Sequence, residues 1–138
     1  MGTHRIYRSF NENKYIEELQ YKTQKSIQDI DNLKLELQFY KSLLNKPVFK
    51  PQTLNLYENL VKFMSEINEI DEISTVLQEE LSSKGIQITN MAECEDVDYN
   101  DFYINHYNDL KQKIFNLENK TSYFKFKLFQ YLDSTLID

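Results

Sequence analysis

The chain has 138 residues, a net charge of −6, one cysteine, two glycines and two prolines. That length suits one core rather than two, a lone cysteine excludes an internal disulfide, and no apolar run is long enough to span a bilayer. The charge is uneven: residues 1–52 carry 9 basic and 6 acidic groups, 53–101 carry 2 and 12, and 102–138 carry 5 and 4. An acidic middle between weakly basic ends argues against nucleic-acid binding, which needs a concentrated basic surface to release counterions from phosphates.

With so little glycine and proline, a few long elements are expected rather than many short ones. A single alanine, scarce arginine and abundant Lys, Asn, Ile and Tyr match the usage of an AT-rich genome and suggest a bacterial origin. The N-terminus lacks the hydrophobic core of a signal peptide. Cys94 lies between Glu93 and Glu95, which should hold its thiol protonated. These features lead us to expect a reduced, cytoplasmic setting.

Residues 1–9 form a basic and aromatic arm containing His4, Arg5, Tyr7 and Arg8. Ser9 and Glu12 have capping-box spacing, so the first helix should begin near residue 10, with Asn11 as the rival cap. Ile16, Leu19, Thr23, Ser26, Ile30, Leu33, Leu37, Tyr40 and Leu44 then recur at heptad spacing and predict a helix to about residue 45. The stretch from Lys46-Pro47 to Lys50-Pro51 resists helix formation, and so short a link implies antiparallel neighbours.

The second stripe is Leu56, Leu60, Phe63, Ile67, Ile70, Ser74, Leu77 and Leu81, which predicts a helix over about 53–84. Thr53 is its expected N-cap and Gly85 its expected left-handed C-terminal residue. Glu58, Ser65, Glu72 and Glu79 run along the opposite side, where they should face water. Folding back at the link should set Leu44 against Leu56 and Ser26 against Ser74, with Thr23 nearby, so a layer of hydroxyls crosses the core. Each hydroxyl is expected to bond a carbonyl one turn back in its own helix.

Residues 85–98 are expected to form an acidic loop, with Ile86 and Ile88 plugging the end of the core. The third helix, about 99–136, has the stripe Tyr103, Tyr107, Leu110, Ile114, Leu117, Thr121, Phe124, Leu128, Tyr131 and Thr135. Beside it run His106, Lys113, Lys120 and Lys127. The matching flank of helix two carries Glu66 and Glu80, and antiparallel packing should put Glu80 opposite His106 and Glu66 opposite Lys120, with Lys113 and Lys127 within a turn of the same acids. The expected architecture is therefore all-α, one domain over 1–138, an antiparallel up-down-up three-helix bundle with long coiled-coil-like helices. A dimer that exchanges helices would show the same pattern.

Little here points to catalysis. Asp96, Asp98 and Asn100 begin like a calcium loop, but Asp101 and Tyr107 stand where that loop requires Gly and Glu. The basic arm should emerge beside this acidic run and neutralise it. His4 and His106 have no evident third metal ligand, and Asp109 and Leu110 replace the Lys and Gly that follow a phosphotransfer histidine. No glycine-rich phosphate loop or nucleophile with a matched base is present. No enzyme, cofactor or metal site is expected.

The informative excess is apolar. Leu35, Phe39 and Leu43 lie off the first stripe, Phe115, Tyr123, Phe126 and Phe129 lie off the third, and Phe49 is in the link. Most should converge at the Pro47 end. Two readings follow: a wide seam between helices one and three takes them up, or they form a surface for a protein partner or a second copy. Phe126, almost opposite its stripe, is difficult to bury within three helices, which brings the surface level with the seam. The expected function is a protein-protein interaction or assembly module without nucleic-acid or membrane binding. The alternative is a regulatory domain that binds a metal ion or small ligand through the acidic loop or the hydroxyl layer.

Overall fold

The computed structural model describes residues 10–93 and 97–138, with side chains over 16–88 and 106–138. Three helices make up nearly all of it: α1 (Phe10–Leu44), α2 (Leu56–Glu93) and α3 (Val97–Thr135). The fold is all-α. Within the described side chains, each stripe becomes the inner face of its helix. Ile16, Leu19, Ile30, Leu37, Tyr40 and Leu44 are buried on α1, Ile67, Ile70, Leu77 and Leu81 on α2, and Tyr107, Leu110, Leu117, Phe124 and Leu128 on α3. Leu33, Leu56, Leu60, Phe63 and Ile114 pack against them while keeping part of their surface exposed. Glu58, Ser65, Glu72 and Glu79 face outward, as the periodicity requires.

Helix α2 is central: α1 and α3 each close against it and approach one another much less. Contacts between α1 and α2 move down one helix as they move up the other. Gly85 lies by Thr23, Gln78 bonds the Ile27 carbonyl at 3.4 Å, and Lys34 meets Asp71 at 3.6 Å. Between α2 and α3, Lys113 meets Glu80 at 3.0 Å, Lys120 meets Glu69 at 2.9 Å and Lys127 meets Glu66 at 2.7 Å. Both series have the order of antiparallel neighbours.

The register differs from expectation at both interfaces. Lys34 also bonds Thr75, so Ser74 stands level with residues near Lys34 rather than with Ser26. Glu80 takes Lys113 and Glu66 takes Lys127, the lysines expected within a turn of these acids, rather than the His106 and Lys120 expected directly opposite. A heptad stripe repeats itself every two turns, so it fixes which face is buried more tightly than which layers meet. The link supplies the missing offset. Thr53 does not cap α2: its hydroxyl donates to the Lys50 carbonyl at 2.7 Å and its N–H to the same atom at 3.2 Å, closing a turn. The chain then passes through Asn55 at φ 54°, and α2 starts three residues later than expected.

The other end of α2 also departs from expectation. Gly85 does not terminate the helix, because its φ is not positive and helical bonding continues to Glu93. The predicted 85–98 loop is therefore helix over 85–93 and again from Val97. Residues 94–96 lie outside the described residues, as do the 1–9 arm and Ser9, the expected cap of α1. The heptad explains the continuation, since Lys84 and Ile88 fall on the next two stripe positions and are 1% and 0% exposed. Ile88 does enter the core, with Ile16, Leu19 and Tyr107. Ile86 points outward at 66% exposure and is no plug.

The Pro47 end is closed by main chain. Phe49 and Leu136 form an antiparallel bridge. Lys50 N–H donates to the Thr135 carbonyl at 2.7 Å and Ile137 N–H to the Val48 carbonyl at 2.8 Å. The link and the C-terminal residues thus cover the bundle end together.

Candidate functional site: an aromatic face between α1 and α3

At the closed end an aromatic cluster fills the core. Phe63 and Tyr131 have ring centroids 5.3 Å apart, Phe63 and Phe124 6.2 Å, and Tyr40 and Phe124 6.3 Å. Tyr40 is the hinge between this cluster and the surface. Its ring also meets Phe129 at 5.9 Å and Phe39 at 6.0 Å, both edge-on. Such edge-to-face pairs fix ring orientation as well as burying area.

Glu36 ties the same level together from both helices. Its Oε1 accepts from the Tyr40 hydroxyl at 3.0 Å and its Oε2 from Lys125 Nζ, on α3, at 2.9 Å. Burial, then the hydrogen bond to Glu36 and the charge of that carboxylate, push the Tyr40 phenol up to about 12. The phenol therefore stays a donor throughout the physiological range.

The eight expected interface residues divide. Phe49 is buried beneath the link, and Leu43 is half-buried against the core. Those two belong to the fold, because the link folds inward over the seam and Leu43 adjoins the buried Leu44. The other six remain exposed: Leu35 at 69%, Phe39 61%, Phe115 55%, Tyr123 65%, Phe126 60% and Phe129 48%. Tyr123 lies away from the rest, its ring 4.7 Å from the Lys127 ammonium. Leu35 and Phe39 on α1, with Phe115, Phe126 and Phe129 on α3, are left exposed on the outer sides of these two helices. The contacts of Glu36 with Lys125 and of Tyr40 with Phe129 put the α1 pair level with Phe126 and Phe129.

The α2–α3 seam is more polar at its flanks, although Ile73 and Val76 are exposed in its groove. There the flanks carry the ion pairs of Lys113, Lys120 and Lys127, groups that are at ease in water. On the α1–α3 side, Lys125–Glu36 is the cross-helix ion pair among the described residues, and rings occupy the neighbouring positions.

The other candidates are weaker. The hydroxyls do not share one layer: Thr23 lies beside Gly85 near one end, whereas Ser74 lies near the level of Lys34. Thr23 donates to the Leu19 carbonyl at 2.7 Å, as expected. Ser74 Oγ is buried without a hydrogen-bond partner among the described residues, contrary to the expectation of local bonding, and Thr121 Oγ1 is likewise buried and unpaired there. The acidic run at Glu93, Glu95, Asp96, Asp98 and Asp101 lies outside the described side chains. Among the described residues no group of three potential metal-ligating side chains comes together, and no helix is long and apolar enough to cross a membrane.

Sequence reading missed Lys84. It is almost fully enclosed, its Nζ stands 3.5 Å from His106 Nδ1, and burial lowers its ammonium to about 8. The signal was its heptad spacing from Leu81, hidden because lysine followed by glycine resembles a helix end. Comparison with family models, curated proteins and solved structures gives no match.

Proposed function

We propose that the chain is a non-enzymatic interaction or assembly module that binds a protein partner, or itself, through the α1–α3 face. The observation that carries this reading is the row of half- to two-thirds-exposed rings and leucine at Leu35, Phe39, Phe115, Phe126 and Phe129. Full burial of such a side chain is worth roughly 1.5–3 kcal/mol, of which these half- to two-thirds-exposed ones forgo a large part, and large exposed apolar patches mark interaction sites. Aromatic residues supply most hot-spot energy when a partner encloses them. The Tyr40 contacts hold Phe39 and Phe129 in place beforehand, which reduces the ordering cost of docking.

Sedimentation of the wild type beside Phe126→Glu, with affinity capture by both proteins, tests the reading. We expect association or a captured partner for the wild type, and loss of it for the variant. Two monomers that capture nothing would remove the proposal.

A further inference from the structure

The outward side of α3 is self-complementary. Phe115, Asn119, Ser122, Phe126, Phe129 and Asp133 recur at alternating spacings of four and three, a second heptad line beside the buried one. All six are exposed. Ser122 is the centre of this line: Phe115 and Phe129 lie seven positions to either side of it, and Lys111 and Asp133 eleven. Neither Lys111 nor Asp133 forms an ion pair among the described residues, although the lysines of the α2 flank all do.

Resting on the reading of this face as an interaction surface, we propose that its partner is a second copy of the chain, with the two α3 helices antiparallel about a two-fold axis at Ser122. A two-fold axis sets each residue against the one equally far beyond the axis on the other copy. Phe115 then packs on Phe129 of the second copy, Lys111 meets Asp133, and the small Ser122 meets itself where the helices come closest. Glu118 falls beside Phe126 and Lys125 of the second copy. Every pairing occurs twice. The span from Lys111 to Asp133 is about 34 Å of helix, and Leu35 and Phe39 of each α1 widen the contact at the level of Phe126. A parallel pairing of α3 helices would set Lys111 against Lys111 and Asp133 against Asp133, which charge disfavours.

The test uses the full chain with Cys94→Ser as background. Under mild oxidation Ser122→Cys should migrate as a covalent dimer, because only residues at the axis bring their own copies within disulfide reach. Glu118→Cys, on the same face but some 12 Å from its own copy along the axis, should stay monomeric. In sedimentation Lys111→Glu and Asp133→Lys should each weaken self-association about tenfold or more, through two like-charge contacts, while an equimolar mixture of the two associates as the wild type does.

A wild type that stays monomeric, or a mixture no tighter than either variant alone, overturns this dimer. So does equal cross-linking of Ser122→Cys and Glu118→Cys. The interaction surface survives any of these results if Phe126→Glu still abolishes capture of a partner or association in another register. It fails separately, if Phe126→Glu changes neither.

Discussion

The two ends of the bundle follow the same heptad rule and differ in how they are closed. At the link end Tyr40, Phe63, Phe124 and Tyr131 stack in the core, Phe49 is folded beneath the chain, and main-chain bonds from Lys50 and Ile137 join the link to the last residues. At the far end a separate cluster of Ile16, Leu19, Ile88 and Tyr107 lies beyond Thr23, Lys84 and Gly85. A buried polar or small residue at a stripe position does not break a helix, but it divides the core. Of the exposed rings, Phe39 and Phe129 belong to the well-braced end, where edge-on contacts with Tyr40 hold them before any partner arrives.

The largest expected effect is at the link. Phe49→Ala should cost about 3–5 kcal/mol in chemical denaturation, since it empties the space beneath the bridge to Leu136. Ile88→Ala, as fully buried, should cost nearer 2 kcal/mol, the low end for such truncations, because the small cluster can collapse around the gap. Equal losses would erase the distinction between the ends.

Gly85→Ala should stabilise the protein by about 1 kcal/mol. The glycine is interior to α2, a Cβ there would lie 3.8 Å from Thr23 Cγ2 in ordinary contact, and alanine is the better helix former. A loss of melting temperature would mean that the residue ends the helix after all. Removing Lys113, whose ion pair with Glu80 is well exposed, should cost between 0 and about 1 kcal/mol, measured as Lys113→Ala.

A pH dependence sharpens the contrast further. Lys84 has its pKa lowered to about 8 in the folded chain from an ordinary 10.5. Between those values the unfolded chain binds more protons, so Lys84 makes stability rise with pH from about 8 towards 10.5, and its cost is fully present below 8. Tyr40 acts in the opposite sense only above pH 10, where its raised pKa of about 12 withdraws stability. Denaturation at pH 8 and pH 9.5 should show the rise in the wild type and lose it in Lys84→Met.

What could be read from the sequence was periodicity. Leu37, Ile67 and Leu128 were legible as core because a stripe must be buried somewhere. The same logic marked Phe126 as exposed, being nearly opposite Leu128's side of the helix. Register was not legible, because Glu66 is compatible with Lys120 or Lys127 until the link sets the offset. Phe49 was misplaced at the surface since its burial depends on a turn around Thr53 and a bridge to residues 87 positions away. Lys84 and Gly85 imitate a helix end, and only the stripe position of Ile88 reveals that the helix continues.

The proposed binding surface runs from Leu35 and Phe39 on α1 to Phe115, Phe126 and Phe129 on α3, and the equally exposed Ile86 lies outside it. Sedimentation equilibrium of the wild type, Phe126→Glu and Ile86→Glu tests it directly, since Phe126 and Ile86 are 60% and 66% exposed but lie at opposite ends. The wild type and Ile86→Glu should associate, and Phe126→Glu should be a monomer. Loss of association in Ile86→Glu, with Phe126→Glu unaffected, would contradict this placement of the surface.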